Sequence, residues 1–307
     1  MRFSIYQESK RGGRKINQDR MGYCYTRDSL MIIVCDGMGG HMQGEVAAQI
    51  AVQTIGARFQ REATPLLRDP KQFMEDAMMS AHIEIQRYKA GRGLPESPRT
   101  TCVMAIVQKG KAWWGHAGDS RLYWIRDGRI QSVTRDHSQL EAMIADGMLT
   151  DRDRNDYPDR NRLFNCLGAP ALPMVELSDP VRLNAGDHLL LCSDGLWGAV
   201  PDNIIGAAFR TNSVMRVVPE LINYALMEAG ASADNVTAIG MTWEGSQLSD
   251  EDASVPSVQG KSGFTSTIQY PPRGDTPQLT EDEIESAIAE IRSAIAKSGK
   301  NPPSNKS

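Results

Sequence analysis

The chain reads as an α+β fold, and three observations predict it. Short runs rich in apolar and β-branched residues end on glycine or Asp-Gly. The middle of the chain is a dense block of such runs, with helical periodicity before and after it. Strands and helices therefore come in blocks, without the regular β-α alternation of a doubly wound parallel sheet.

Element by element, SLMIIVCD (29–36) is a continuous apolar run closed by glycine, as a buried strand would be. GEVAAQIAVQTIGARFQ (44–60) then predicts a helix with Val46, Ile50 and Ile55 roughly on one face. FMEDAMMSAHIEIQRY (73–88) predicts a second, where Phe73, Ala77, Ala81, Ile85 and Tyr88 recur at helical spacing. Residues 100–134 are β-rich and broken by Lys109-Gly110 and Asp127-Gly128, which predicts four antiparallel strands joined by tight hairpins. Residues 136–168 open with a short helix. They continue as a charged, aperiodic segment that suits an exposed flap, 140–165. DHLLLCSD (187–194) is a buried strand, the stretch 201–230 holds two helices ending at Gly230, and DNVTAIGMTW (234–243) is a final strand.

These elements make one packed domain of residues 1–244. Residues 245–279 shift to Ser, Gly, Pro and Gln, the composition of a flexible linker. Residues 280–298 form an amphipathic helix: Thr280 and Glu283 make a capping box, and Ile284, Ile288, Ile291 and Ile295 line one face. A lone helix of this length is marginal in water, so it is expected to dock on the main domain or to bind a partner. Residues 299–307 are expected to be a disordered tail.

The net charge of −4 supplies no basic field for nucleic acid, and no stretch approaches the roughly 20 apolar residues of a membrane span. The N-terminus lacks the apolar core and cleavage site of a signal peptide. Cys24, Cys35, Cys102, Cys166 and Cys192 are odd in number and lie mostly in apolar runs without a C-x-x-C pair. They read as reduced thiols of a cytoplasmic protein, not as a disulfide framework or a zinc site. Trp113, Trp114, Tyr123 and Trp124 form an aromatic stripe that could stack bases, but alternating positions of a sandwich core explain it better.

The chemistry lies in the acids. Asp36 and Asp194 end apolar runs, Asp234 begins one, and Asp19 sits in RKINQDR. Carboxylates at the tips of buried strands point to one shared negative cluster. Such a cluster needs neutralising, and divalent cations held by hard oxygen ligands do this most simply.

Taken together and in order, RKINQD, VCDGMGGHMQGEVAA, TTCVMAIV, GHAGDSRLY, TRDHS, CSDGLW and DNVTAI resemble the bacterial metal-dependent Ser/Thr protein phosphatases of type 2C, over about residues 3–243. The resemblance implies a four-layer α-β-β-α sandwich, two antiparallel sheets flanked by helices, with two Mn²⁺ or Mg²⁺ ions at one end. It implies that Asp36 bridges both ions, with the Gly37 carbonyl as a further ligand. Asp194 and Asp234 hold one side, Asp19 acts mostly through metal-bound waters, and Arg14 grips the substrate phosphate. Such a metal pair, about 3.5–4 Å apart, lowers the pKa of a bridging water towards ~7. The resulting hydroxide attacks phosphorus in line, with metals and a cationic side chain offsetting the phosphoryl charge.

Where the family pattern shifts, so do the expectations. Gln18 stands where the family often has Glu, so it adds no charge. Asp119 matches a position tied to a third, weaker ion, but Gly198 replaces the acid that often completes that site. If Asp119 is not a ligand, it is a turn residue pairing with Arg121. Met38 occupies the place of a eukaryotic histidine that is a candidate general acid; His41 lies three residues beyond it and is expected only to anchor the following helix. The expected partners are phosphorylated proteins, a bacterial Ser/Thr kinase or its targets. A binding protein that kept the fold without activity is the rival reading, and the presence of all four principal acids speaks against it.

Overall fold

A computed structural model describes residues 1–38, 43–150, 157 and 162–245, and the backbone of 265–268. The chain divides into two units, Met1–Gln269 and Tyr270–Ser307, and every described residue lies in the first. His41, the middle of the flap, and the predicted helix 280–298 fall outside the described residues.

In chain order the elements are β1 (Arg2–Lys10), β2 (Arg20–Tyr25), β3 (Ser29–Cys35), β4 (Gly37–Met38), α1 (Gly44–Glu62), α2 (Pro70–Arg92), β5 (Arg99–Thr100), β6 (Cys102–Gln108), β7 (Lys111–Ala117), β8 (Arg121–Arg126) and β9 (Arg129–Val133). There follow α3 (Gln139–Ala145), β10 (Glu176–Leu177), β11 (Val181–Arg182), β12 (His188–Cys192), α4 (Asp194–Trp197), α5 (Asp202–Ala208), α6 (Val214–Ala229), β13 (Val236–Gly245) and β14 (Thr265–Ile268). One sheet runs β1-β13-β12-β8-β9; the other runs β10-β7-β6-β3-β2-β14, with β11 also on β7. All the pairings are antiparallel.

Two-residue periodicity sorts the side chains into layers. Leu30, Ile32 and Val34 of β3 meet Leu189 and Leu191 of β12 between the sheets. Leu190 and Cys192 face the other way, against Val214, Val218 and Leu221 of α6. Both faces of β3 and β12 are covered, which is why each reads as an unbroken apolar run. Helices α1 and α2 cover the second sheet, and α4–α6 the first, so the fold is the predicted α+β four-layer sandwich.

Hairpins close at Lys109-Gly110 and Asp127-Gly128, but β7 and β8 are not a hairpin: the Gly118–Ser120 turn carries the chain from one sheet to the other. The buried face of α1 is built on Ala47, Ala48, Ile50, Ala51 and Ile55, and Val46 is only half-buried. The 245–279 stretch is not linker throughout, because Thr265–Ile268 pairs with Tyr25–Gly22 of β2. Of the aromatic stripe, Trp114 faces Trp124 between the sheets with ring centroids 6.4 Å apart, and Tyr123 is fully buried on the opposite face.

Candidate active site

Strand register gathers the acids. Asp19 precedes β2 and Asp36 follows β3, and these strands pair with Arg20 opposite Cys35. Asp194 opens α4 directly after β12, and Asp234 leads into β13, with Cys192 opposite Ala238. Cys192 also faces Arg121, which brings the turn carrying Asp119 to the same end. All five acids therefore stand at one end of the sandwich, contributed by both sheets.

Their electrostatics show the crowding. Burial, and then repulsion from Asp19, Asp194 and Asp119, pushes the Asp36 carboxyl well above the usual carboxylate range. Burial, Asp194 and Asp136 do the same to Asp119. Asp194 is pushed up to about 6 by burial and by Asp234 and Asp19. Asp19 is also raised to about 6, chiefly by burial and against hydrogen bonds from Thr237 and Ser193. Asp19 Oδ1 and Asp194 Oδ1 are buried without any hydrogen-bond partner. An orphaned buried carboxylate oxygen is costly unless something positive meets it.

The surrounding backbone is fixed by small polar groups that lie within the quoted motifs but whose partners only the fold reveals. Ser193 Oγ donates to Asp19 Oδ2 at 2.8 Å and accepts from the Thr237 amide at 3.1 Å, tying the two sheets together beneath the acids. The Asp36 amide donates to Thr101 Oγ1 at 2.9 Å, and its carbonyl accepts from the Thr100 hydroxyl at 2.8 Å and the Thr101 amide at 2.9 Å. Asn235 laces the basic loop to β13: its Oδ1 accepts from the Gln18 amide, and its Nδ2 donates to the carbonyls of Arg11 and Ile16. Gly37 lies so close to Gly44 that a Cβ on Gly37 would stand 2.3 Å from the Gly44 carbonyl oxygen. Gln18 is used locally, donating to the Glu45 carboxylate at 3.1 Å.

Arg14 reaches the cluster because Gly12 and Gly13 lie on the 231–234 backbone, where Gly12 adopts φ 62° and the Gly13 amide donates to Ala233 O at 2.8 Å. A side chain at Gly12 would strike the Asp234 carbonyl. The Arg14 guanidinium then grips Asp234 bidentately, at 2.8 and 2.6 Å, while staying largely exposed.

Asp119 does not pair with Arg121, contrary to the alternative considered for it. Arg121 forms a bidentate pair with Asp136 at 2.8 Å and lies 3.7 Å over the Trp197 ring. Trp197 Nε1 in turn donates to the Asp119 carbonyl at 2.9 Å, so the Asp119 carboxyl is left to the acid cluster.

The donor set is all oxygen, partly buried and self-repelling, and it holds orphaned acceptors. These features fit hard divalent cations. The family model of protein phosphatase 2C matches residues 7–232. The chain belongs to the protein phosphatase 2C family. As a type 2C member it is a metal-dependent protein serine/threonine phosphatase. The serine/threonine phosphatase stp of Listeria welshimeri is 31% identical over 231 residues, 74% of this chain and 90% of that one. The structure of Stp1 from Staphylococcus aureus shares 29% identity and superposes with a TM-score of 0.73, covering 80% of this chain and 96% of that one. The PstP catalytic domain, solved with two manganese ions, shares 27% identity at a TM-score of 0.66, over 78% of this chain and 97% of that one. Among the described residues, no helix is long and apolar enough to cross a membrane.

Proposed function

We propose that this phosphatase hydrolyses phosphoserine and phosphothreonine in protein substrates at the acid cluster, opposing a serine/threonine kinase in the cytoplasm. One observation carries the reading: carboxylates from both sheets converge at one end, raise one another's pKa, and leave two buried oxygens without a partner. In this reading Asp36 would be the acid shared by two Mn²⁺ or Mg²⁺ ions, with the Gly37 carbonyl as a further ligand. Asp194 and Asp234 hold one side, and Asp19, already hydrogen-bonded to Ser193, acts from behind. Asp119 contributes to a third, weaker ion. When bound, the ions supply the activated water that attacks phosphorus directly and the charge that offsets the phosphoryl oxygens.

The protein's own groups do the rest. Thr100 and Thr101 pin the Asp36 backbone, so its carboxylate has little freedom. Arg14 sits at the exposed rim on Asp234. Its planar guanidinium, largely exposed there, has the fork geometry for a two-pronged contact with phosphate oxygens.

The test is turnover of p-nitrophenyl phosphate and a phosphothreonine peptide with added Mn²⁺, then with EDTA, alongside Asp36→Asn. Turnover should need the metal, vanish with EDTA, and be lost in Asp36→Asn while circular dichroism is unchanged. Turnover that survives EDTA, or that persists substantially in the variant, would sink the assignment.

A further inference from the structure

His137 lies outside the acid cluster, yet it grips the turn that carries Asp119. Its own amide donates to the Gly118 carbonyl at 3.0 Å, and its Nδ1 accepts from the Gly118 amide at 3.2 Å. Nδ1 also accepts from Asn165 Nδ2 at 2.6 Å. The orientation of that amide is fixed, because Asn165 Nδ2 donates to the Met174 carbonyl at 2.7 Å and Asn165 Oδ1 accepts from the Met174 amide at 3.0 Å. Both side chains are buried: His137 is 3% exposed and Asn165 6%.

Two donors converging on Nδ1 dictate the tautomer. The neutral ring carries its proton on Nε2, which faces Glu176 Oε2 at 3.3 Å. This bears on a second possibility. His116, His137 and Glu176 place potential ligand atoms within 4.8 Å of one another, as a metal site would. His116 Nε2 donates to the Arg135 carbonyl at 2.6 Å, which leaves its Nδ1 lone pair unused. His137, however, has no lone pair to offer, since Nδ1 is taken twice and Nε2 is protonated. The trio is a hydrogen-bonded support and not a ligand set.

The turn that His137 holds leads back to the cluster. Gly118 has φ 117°, and a Cβ there would lie 2.7 Å from the Thr101 side chain. Ser120 Oγ is 2.6 Å from Thr101 Oγ1, the atom that receives the Asp36 amide. On the far side, Trp197 holds the Asp119 carbonyl.

We propose that His137, held in one tautomer by Asn165, is a positioning residue that fixes the Gly118–Ser120 turn and so the direction of the Asp119 carboxylate. The consequence for metal binding rests on the assignment of Asp119 to the cation cluster.

Two substitutions separate the ring nitrogens. In His137→Asn the amide oxygen falls where Nδ1 was and can still accept from Gly118 and Asn165. In His137→Gln the amide reaches only the Nε2 position. The first readout is hydrogen exchange of the Gly118 amide in the full chain. It should accelerate on the order of tenfold in His137→Gln and in Asn165→Leu, and stay near wild type in His137→Asn, since a buried amide that loses its acceptor loses this protection. Calorimetric Mn²⁺ titration should show the weakest binding step lost in His137→Gln, as in Asp119→Asn, and retained in His137→Asn. Equal exchange in all variants, or rescue by Gln and not by Asn, would overturn the proposal. If Asp119→Asn leaves Mn²⁺ binding intact while Gly118 exchange behaves as expected, His137 still positions the turn and it is the metal role of Asp119 that fails.

Discussion

Asp19 and Asp194 are both held near pH 6 by burial and by their neighbours, against an ordinary value of 3.8. The folded, metal-free chain therefore binds these protons more tightly than the unfolded chain does. Their contribution to stability is fully present below the ordinary carboxylate pKa and is lost as pH rises through about 6. Divalent cations bind the ionised form, so their affinity runs the opposite way and falls as pH drops through that window. Mn²⁺ should thus raise the melting temperature clearly at about pH 7.5 and little at about pH 5.5. An equal shift at both would mean that these carboxylates do not hold the ion. Arg14→Ala should raise KM for phosphosubstrates roughly tenfold, with a smaller fall in kcat, as expected for loss of a charge-assisted contact made in the bound ground state. A loss confined to kcat would mean that Arg14 acts only on the transition state. At this scale the acids were legible, because each borders an apolar run or stands in a motif. Ser193, Thr237, Thr101 and Asn235 stand in the same motifs, but their roles were not legible. Serine, threonine and asparagine occur in every turn, and only the fold shows which carboxylate or amide each one meets.

Among the elements, the shortest strands carry much of the precision. Gly37 of β4 and Gly44 of α1 touch through their backbones, and a Cβ on either meets a carbonyl oxygen at 2.5 Å or less. Gly37→Ala should cost about 1–3 kcal/mol in denaturant unfolding, the usual range for overpacking, and should also weaken Mn²⁺ binding. A stability loss with unchanged Mn²⁺ binding would remove Gly37 from the metal site. The long elements were legible because hydrophobic periodicity speaks for them. The rest were not, each for its own reason. In β1, RFSIYQESK, an apolar alternation is diluted by polar residues on a half-buried strand. In β2 a glycine interrupts the run. Elements β10 and β11 span two residues each, too short for any period. A turn signal such as Gly118-Asp119 reports that the chain reverses; it does not say which sheet receives the next strand.

At the scale of the whole molecule, β14 closes the β2 edge of its sheet through backbone pairing. The pairing is made by the backbone, and three of the four residues of β14, Thr265, Thr267 and Ile268, are β-branched, although the stretch around them has the composition of a linker. A chain ending at Gly245 keeps the described acids and should still turn over p-nitrophenyl phosphate. It also uncovers the β2 edge, and unpaired edges recruit other chains. Concentration-dependent self-association, seen by light scattering, is expected of the truncated chain and not of the full one. A truncated chain that stays monomeric would show that the edge is protected without β14, and an inactive one that the tail is needed to complete the domain.

Because Asp19 and Asp36 belong to one sheet and Asp194 and Asp234 to the other, neither half of the sandwich holds the site by itself. Catalysis is then a clock for assembly. During refolding from denaturant, backbone signals can recover as each sheet forms, but turnover must wait until the two are docked. The lag between the two recoveries times that docking step, with the enzyme serving as its own probe.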